Sequence, residues 1–145
     1  MLVTVRTTLA PLALHHEANP VHRDPSRSSH HTQWSPGIDE SDEFAIFSES
    51  VARAWGAPDA SYWGIRLQAD GHLETLNDTR LHDDRIAKWC RFVGNMTPQI
   101  WHGYPTWPDP QRDCPPQAVL LAWARYRPLS VAKVAKILRG RQCSF

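Results

Sequence analysis

The residues best suited to binding chemistry form a short aromatic segment, residues 101–108, with the sequence WHGYPTWP. It contains the aromatic side chains of Trp101, Tyr104 and Trp107, with His102 between them. Aromatic rings on a backbone stiffened by proline stack on nucleic-acid bases, sugars or proline-rich peptides at a small entropic cost. The segment therefore predicts an aromatic binding loop. The alternative is that these rings, with the other tryptophans of the chain, cover a small hydrophobic core.

His102 is also a candidate for acid–base chemistry. Together with Arg91 and a second histidine, His72 or His82, it would supply the base, the acid and the stabilising cation of metal-independent RNA cleavage. Most chains of this size contain such residue types, so their presence alone does not select this chemistry. The sequence has no Gly-rich phosphate loop, no nucleophile elbow and no metal-ligand motif, and we expect no cofactor and no metal.

Positive charge is concentrated at the C-terminal end, although the formal net charge of the chain is only +1. Residues 117–145 contain basic residues but no Asp or Glu. The candidates for contact with a phosphate backbone or an acidic protein surface are Lys133, Lys136, Arg139 and Arg141. Val131 and Ala132 occupy the first turn of the predicted helix, where base-reading proteins carry polar side chains, so backbone contact is favoured over recognition of base sequence.

Apolar periodicity predicts the elements that position these residues. Four helices are expected, at about residues 41–55 with Ser41 as N-cap, 81–93, 117–126 and 131–138. The last two helices predict an αα-hairpin with the proportions of a helix-turn-helix unit. Prolines exclude a helix over residues 97–116.

Alternating apolar residues predict a β-hairpin from residues 62–68 and 72–76, joined by a turn at Asp70 and Gly71. Residues 99–101 could add a third strand at the sheet edge. The predicted fold class is therefore α+β, a small antiparallel hairpin of two or three strands packed against about four helices.

Residues 1–40 are predicted to be a disordered tail, and residues 41–145 a single small domain. The tail has few large apolar side chains with which to offset an ordering cost of about 1–2 kcal/mol per residue. The three cysteines form no C-x-x-C motif, and the longest apolar run, residues 118–124, is far shorter than the roughly 20 residues that span a bilayer. We therefore expect a cytoplasmic protein with no membrane partner.

These patterns favour a small non-catalytic accessory or regulatory protein of bacterial or phage type, which binds a partner through the aromatic loop and the basic C-terminal helix. Nucleic acid is the favoured partner class. Two alternatives remain open: a small metal-independent ribonuclease of toxin type, and a protein–protein interaction module with no nucleic-acid ligand.

Overall fold

The computed structural model describes residues 7–9, 14–26, 31–81, 85–94, 100–107, 114–126 and 129–139. The strands are β1 (Thr7–Leu9), β2 (Leu14–His16), β3 (Tyr62–Gly64), β4 (Trp89–Gly94) and β5 (Ile100–Thr106). The α-helices are α1 (Glu40–Ala52), α2 (Gln117–Arg125) and α3 (Val131–Leu138), and short 3₁₀ turns cover Pro20–His22 and Thr79–Leu81. The α+β class is confirmed, but the described residues contain three α-helices and not about four.

The strands form one mixed sheet in the order β1-β2-β5-β4-β3, in which β2 and β5 are parallel and the other pairs antiparallel. Alternation along β4 directs side chains to both faces of this sheet. Cys90 and Phe92 pack against Phe47 of α1 on one face, and Trp89 packs against Trp123 of α2 on the other. The sheet is therefore covered by α1 on one face and by α2 and α3 on the other.

The predicted helix at residues 81–93 is wrong, because its C-terminal half is the strand β4. The adjacent residues Trp89 and Cys90 are both fully buried, one on each face of the sheet. A strand that is buried on both faces carries consecutive apolar residues, which also satisfy a helical period. Pairing with β3 and β5 and the β-preferring Phe92 and Val93 decide in favour of the strand.

The predicted aromatic loop is also a strand, and β5 lies between β2 and β4 instead of adding an edge at residues 99–101. The carbonyl oxygens of Trp101 and Gly103 point away from β4, since they accept hydrogen bonds from Glu17 N and Trp34 Nε1. Pro105 lies two residues beyond Gly103 in β5, so its backbone has the same orientation and its nitrogen also points away from β4. A proline in that orientation removes no hydrogen bond from the β4–β5 ladder.

The predicted turn of the hairpin is found, but its strand partner differs. Gln68 N donates to His72 O at 2.8 Å, and Gly71 adopts a φ of 86° in this turn. Beyond an isolated bridge between Leu67 and Leu73, the two predicted strands separate from each other. Strand β3 pairs with β4 instead of with residues 72–76.

The remaining helices lie where the sequence predicts them. Asp39, not Ser41, is the N-cap of α1, and it exchanges reciprocal hydrogen bonds with Asp42 in a capping box. Helices α2 and α3, which the sequence predicts to form an αα-hairpin, pack together in one hydrophobic cluster. No described helix is long and apolar enough to cross a bilayer.

Within residues 1–40, which the composition predicts to be a disordered tail, some described residues pack on the domain. Trp34 and Ile38 are buried against Phe47 and Phe92, so the packed unit extends to the N-terminal side of Ser41. The small number of apolar residues underestimates how firmly this segment is attached, because hydrogen-bonded polar side chains provide much of the attachment. Residues 1–6, 10–13 and 27–30 lie outside the described residues.

Replacing Gly103 with alanine should destabilise the protein, because an added Cβ would overlap the Phe92 ring on the neighbouring strand. The free energy of unfolding should fall by about 1–3 kcal/mol, as is usual for overpacking. Urea denaturation can measure the change. Gly37→Ala is the control, since the nearest atom to an added Cβ there is Ser35 Oγ at 3.7 Å. Equal stability of the two variants would contradict the close packing of Phe92 on β5.

Candidate functional site

Arg91, Tyr104 and His102 lie on the same face of the sheet. Tyr104 is the register partner of Arg91, and His102 is two residues away along β5. Arg91 donates from Nη1 to Tyr104 Oη at 3.1 Å and from Nη2 to Asp59 Oδ2 at 2.8 Å, and its guanidinium lies over the Trp63 ring. The positive charge of Arg91 is therefore already compensated by the carboxylate of Asp59.

The N-terminal segment adds two histidines to this face that the sequence analysis did not select. The His22 ring stacks on Tyr104 with centroids 5.1 Å apart, and His31 contacts His22 edge-on at 5.3 Å. We call His22, His31 and His102 the histidine cluster. The abundance of histidine in the N-terminal segment was the available signal, but nothing in the sequence links these residues to β5.

The ionisation of the cluster is set by its burial. Burial lowers the pKa of His22 to about 4, further lowered by the charges of His31 and His102, against the opposing effects of a hydrogen bond to Thr32 and of Glu43. Burial also lowers the pKa of His102. Both imidazoles are therefore neutral at pH 7.

Of the four residues suggested for RNA cleavage, the three that the structure describes do not all lie together. His102 and Arg91 share a sheet face, but His72 is exposed in the turn after Gln68, with Nδ1 3.3 Å from the Asp70 carboxylate. His82 lies outside the described residues.

The three aromatic side chains proposed as a binding surface all contact other parts of the chain. Trp101 stacks on Phe47 at 5.7 Å between ring centroids, and Tyr104 stacks on His22. Arg85 lies over the Trp107 ring at 5.1 Å. These rings are half-buried, so little of their surface is available for stacking on a ligand.

Helix α3 is divided into an apolar and a basic side. Val134 and Ile137 are buried against α2 and the sheet, whereas Lys136 and Arg139 are exposed and Lys133 is half-buried. Ser130 caps the helix by accepting a hydrogen bond from Lys133 N. Arg141, the fourth candidate of this group, lies outside the described residues.

A buried ionic network joins the N-terminal segment to α1. Glu43 has no exposed surface, and its two carboxylate oxygens bind different partners: Oε2 is 2.6 Å from His16 Nε2, and Oε1 accepts from Arg23 Nη2 at 2.8 Å. Arg23 also donates to the carbonyl oxygens of Ile38 and Asp39. Sequence reasoning missed this network because its members are 20 and 27 residues apart, with no spacing pattern.

A separate cleft of about 290 Å³ lies between α1, the residues after β3 and Tyr126. Its one arginine is engaged by acids, since Arg66 pairs with Asp42 at 3.4 Å and with Glu74 at 3.2 Å. The described part of the chain contains no group of three or more His, Cys, Asp or Glu side chains that could hold a metal ion.

Comparison with known proteins finds no family model, no curated protein and no solved structure that matches this chain. The fold and the surface thus define it as a small α+β protein with a histidine cluster on the sheet and a basic terminal helix.

Glu43→Ala should strongly destabilise the protein, because it leaves His16 and Arg23 in the interior without their acidic partner. Loss of one member of a buried ion pair costs about 3–5 kcal/mol. Thermal and urea denaturation can measure this cost. Glu49→Ala on the same helix is the control, and its exposed pair with Arg53 should contribute less than about 1 kcal/mol. Similar losses in both variants would show that the buried network does not hold the N-terminal segment.

Proposed function

We propose that this chain is a small binding protein that contacts the phosphate backbone of nucleic acid through the basic side of α3. The observation that carries the proposal is the separation of α3 into two sides. Val134 and Ile137 anchor the helix in the core, and Lys136 and Arg139 extend from it into solvent. A helix that is fixed in this way presents its cations without a further ordering cost for the backbone.

The surroundings of α3 favour an anionic ligand. Residues 117–145 contain no Asp or Glu, so this segment has no acidic side chain that would repel a phosphate. Lys133 and Arg139 are separated by roughly 9 Å along the helix axis, at 1.5 Å per residue. Long basic side chains over that distance can contact neighbouring phosphates and release their counterions.

The first turn of α3 supports backbone contact over base recognition. Val131 is exposed and Ala132 follows it, and neither side chain has a hydrogen-bonding group for a base edge. We therefore expect little preference for base sequence. The half-buried aromatic side chains of β5 do not contribute to the proposal, because their rings are engaged with neighbouring residues.

Ribonuclease activity remains a prediction from the sequence, since His72 is in a separate turn from His102 and Arg91. A protein–protein interaction module with no nucleic-acid ligand also remains a prediction. If α3 does not bind nucleic acid, an acidic protein becomes the favoured partner.

The test is the salt dependence of binding to duplex and single-stranded oligonucleotides, measured by fluorescence anisotropy. Lys136→Gln combined with Arg139→Gln should weaken binding and reduce the slope of log K against log salt. The expected reduction is about 1.4–1.8, because each lost phosphate contact contributes about 0.7 on single strands and about 0.9 on duplex DNA.

A charge-matched control removes two cations elsewhere, by Arg53→Gln with Arg80→Gln. Both arginines are exposed and lie outside α3, so the slope should stay near that of the wild type. Equal effects of the two double variants would show that only net charge matters and would contradict a site on α3. Absence of wild-type binding at low salt would overturn the proposal.

A further inference from the structure

Residues 14–26 contact both the sheet and α1, and three of their anchoring side chains, His16, His22 and Arg23, are ionisable. We call this segment the strap. We propose that the strap is a proton-sensitive element, which is docked while His22 is neutral and is released when His22 takes up a proton. This inference does not rest on nucleic-acid binding by α3, because the strap and α3 use different residues.

The strap has little β-sheet pairing to hold it. Strand β2 aligns with β5 at His15 and His16, and Glu17 N donates to Trp101 O at 2.8 Å. Further along, Val21 O and His22 O accept hydrogen bonds from Gln33 Nε2 and Trp34 N. The side chains of His16 and Arg23 bind Glu43. His22 is the third anchor, because its ring lies between Tyr104 and His31.

The geometry of His22 indicates where a proton would be added. Its Nδ1 is 2.7 Å from Thr32 O, and a carbonyl oxygen can only accept, so Nδ1 carries the hydrogen of the neutral ring. Protonation must therefore occur at Nε2. The charged ring would then be 7% exposed, with little water to solvate it.

The charges around His22 do not compensate such a proton. From β5, His102 opposes it, and from the following loop His31 does the same. Tyr104, on which the ring stacks, already accepts a hydrogen bond from Arg91 of β4. Within the strap, His16 and Arg23 both turn toward Glu43 of α1.

Glu43 is the acid whose charge favours a proton on His22, but its oxygens are engaged by His16 and Arg23. The negative charge of Glu43 therefore attracts His16 and Arg23 as well as His22. Docking a protonated His22 would place a buried cation in a cluster with two further imidazoles, those of His31 and His102.

The direction of the pH effect follows from the lowered pKa of His22. A released histidine has a pKa near 6.5, and docking lowers the pKa of His22 to about 4, so release takes up a proton. The contribution of His22 to docking is complete above pH 6.5 and is lost as the pH falls toward 4. The ratio of released to docked strap should rise roughly 20-fold between pH 7 and pH 5.

The test is amide hydrogen exchange of the full chain, followed by mass spectrometry at pH 7 and pH 5 and corrected for the intrinsic exchange rates. Protection of residues 14–26 should fall about 20-fold at pH 5, while protection of α2 is retained. His22→Gln keeps a donor that can reach Thr32 O but does not titrate, and it should remove most of this pH response. His22→Phe, which retains the ring on Tyr104, is the second variant and should do the same.

His72→Gln is the matched control, because His72 is exposed in a turn and contacts Asp70. It should keep the full pH response. The proposal is overturned by equal protection of the wild-type strap at both pH values, or by an unchanged response in both His22 variants. Simultaneous loss of protection in α2 would also overturn it, since the strap would then not open separately from the domain.

Discussion

The buried carboxylate of Glu43 is the constraint on which the attachment of the N-terminal segment depends. An ionised group with no exposed surface is tolerated only when it is paired and hydrogen-bonded. Its two partners, His16 and Arg23, come from a segment far away along the chain. The interaction therefore brings β2 beside β5 and places residues 20–26 next to the sheet, from which the position of His22 on Tyr104 follows.

The second constraint is the central position of β5, which lies between β2 and β4. Alternation along this strand directs Trp101 toward α1, and His102 and Tyr104 toward the opposite face. That opposite face is divided between two coverings. Helices α2 and α3 pack over Trp63 and Trp89, and the N-terminal segment covers Tyr104. Trp101, His102 and Tyr104 are close together in the sequence, but they thus lie on both faces of the sheet.

This distribution separates two kinds of surface in the protein. His22 and His102 are partly buried, and burial lowers the pKa of both imidazoles, which suits a response to protons more than attraction of an anion. On the basic side of α3, Lys136 and Arg139 are exposed to solvent, which suits contact with phosphate. The two surfaces use different residues, and either can be altered without removing the other.

The sequence by itself determined the elements whose signals are local. The apolar stripes of α1, α2 and α3 are local to each helix, as are the side-chain caps of α1 and α3 and the turn at Gly71. The basic side of α3 was predictable for the same reason, since helical periodicity alone separates Lys136 from Val134.

Tertiary structure decided the elements whose signals are distant. Trp89 and Cys90 fit a helix or a doubly buried strand equally well, and the choice depended on partner strands elsewhere in the chain. The N-terminal segment resembled a tail because the composition does not reveal that Glu43 needs His16 and Arg23. Pairing energies between residues far apart in sequence are absent from any local pattern, and they positioned both the central strand and the histidine cluster.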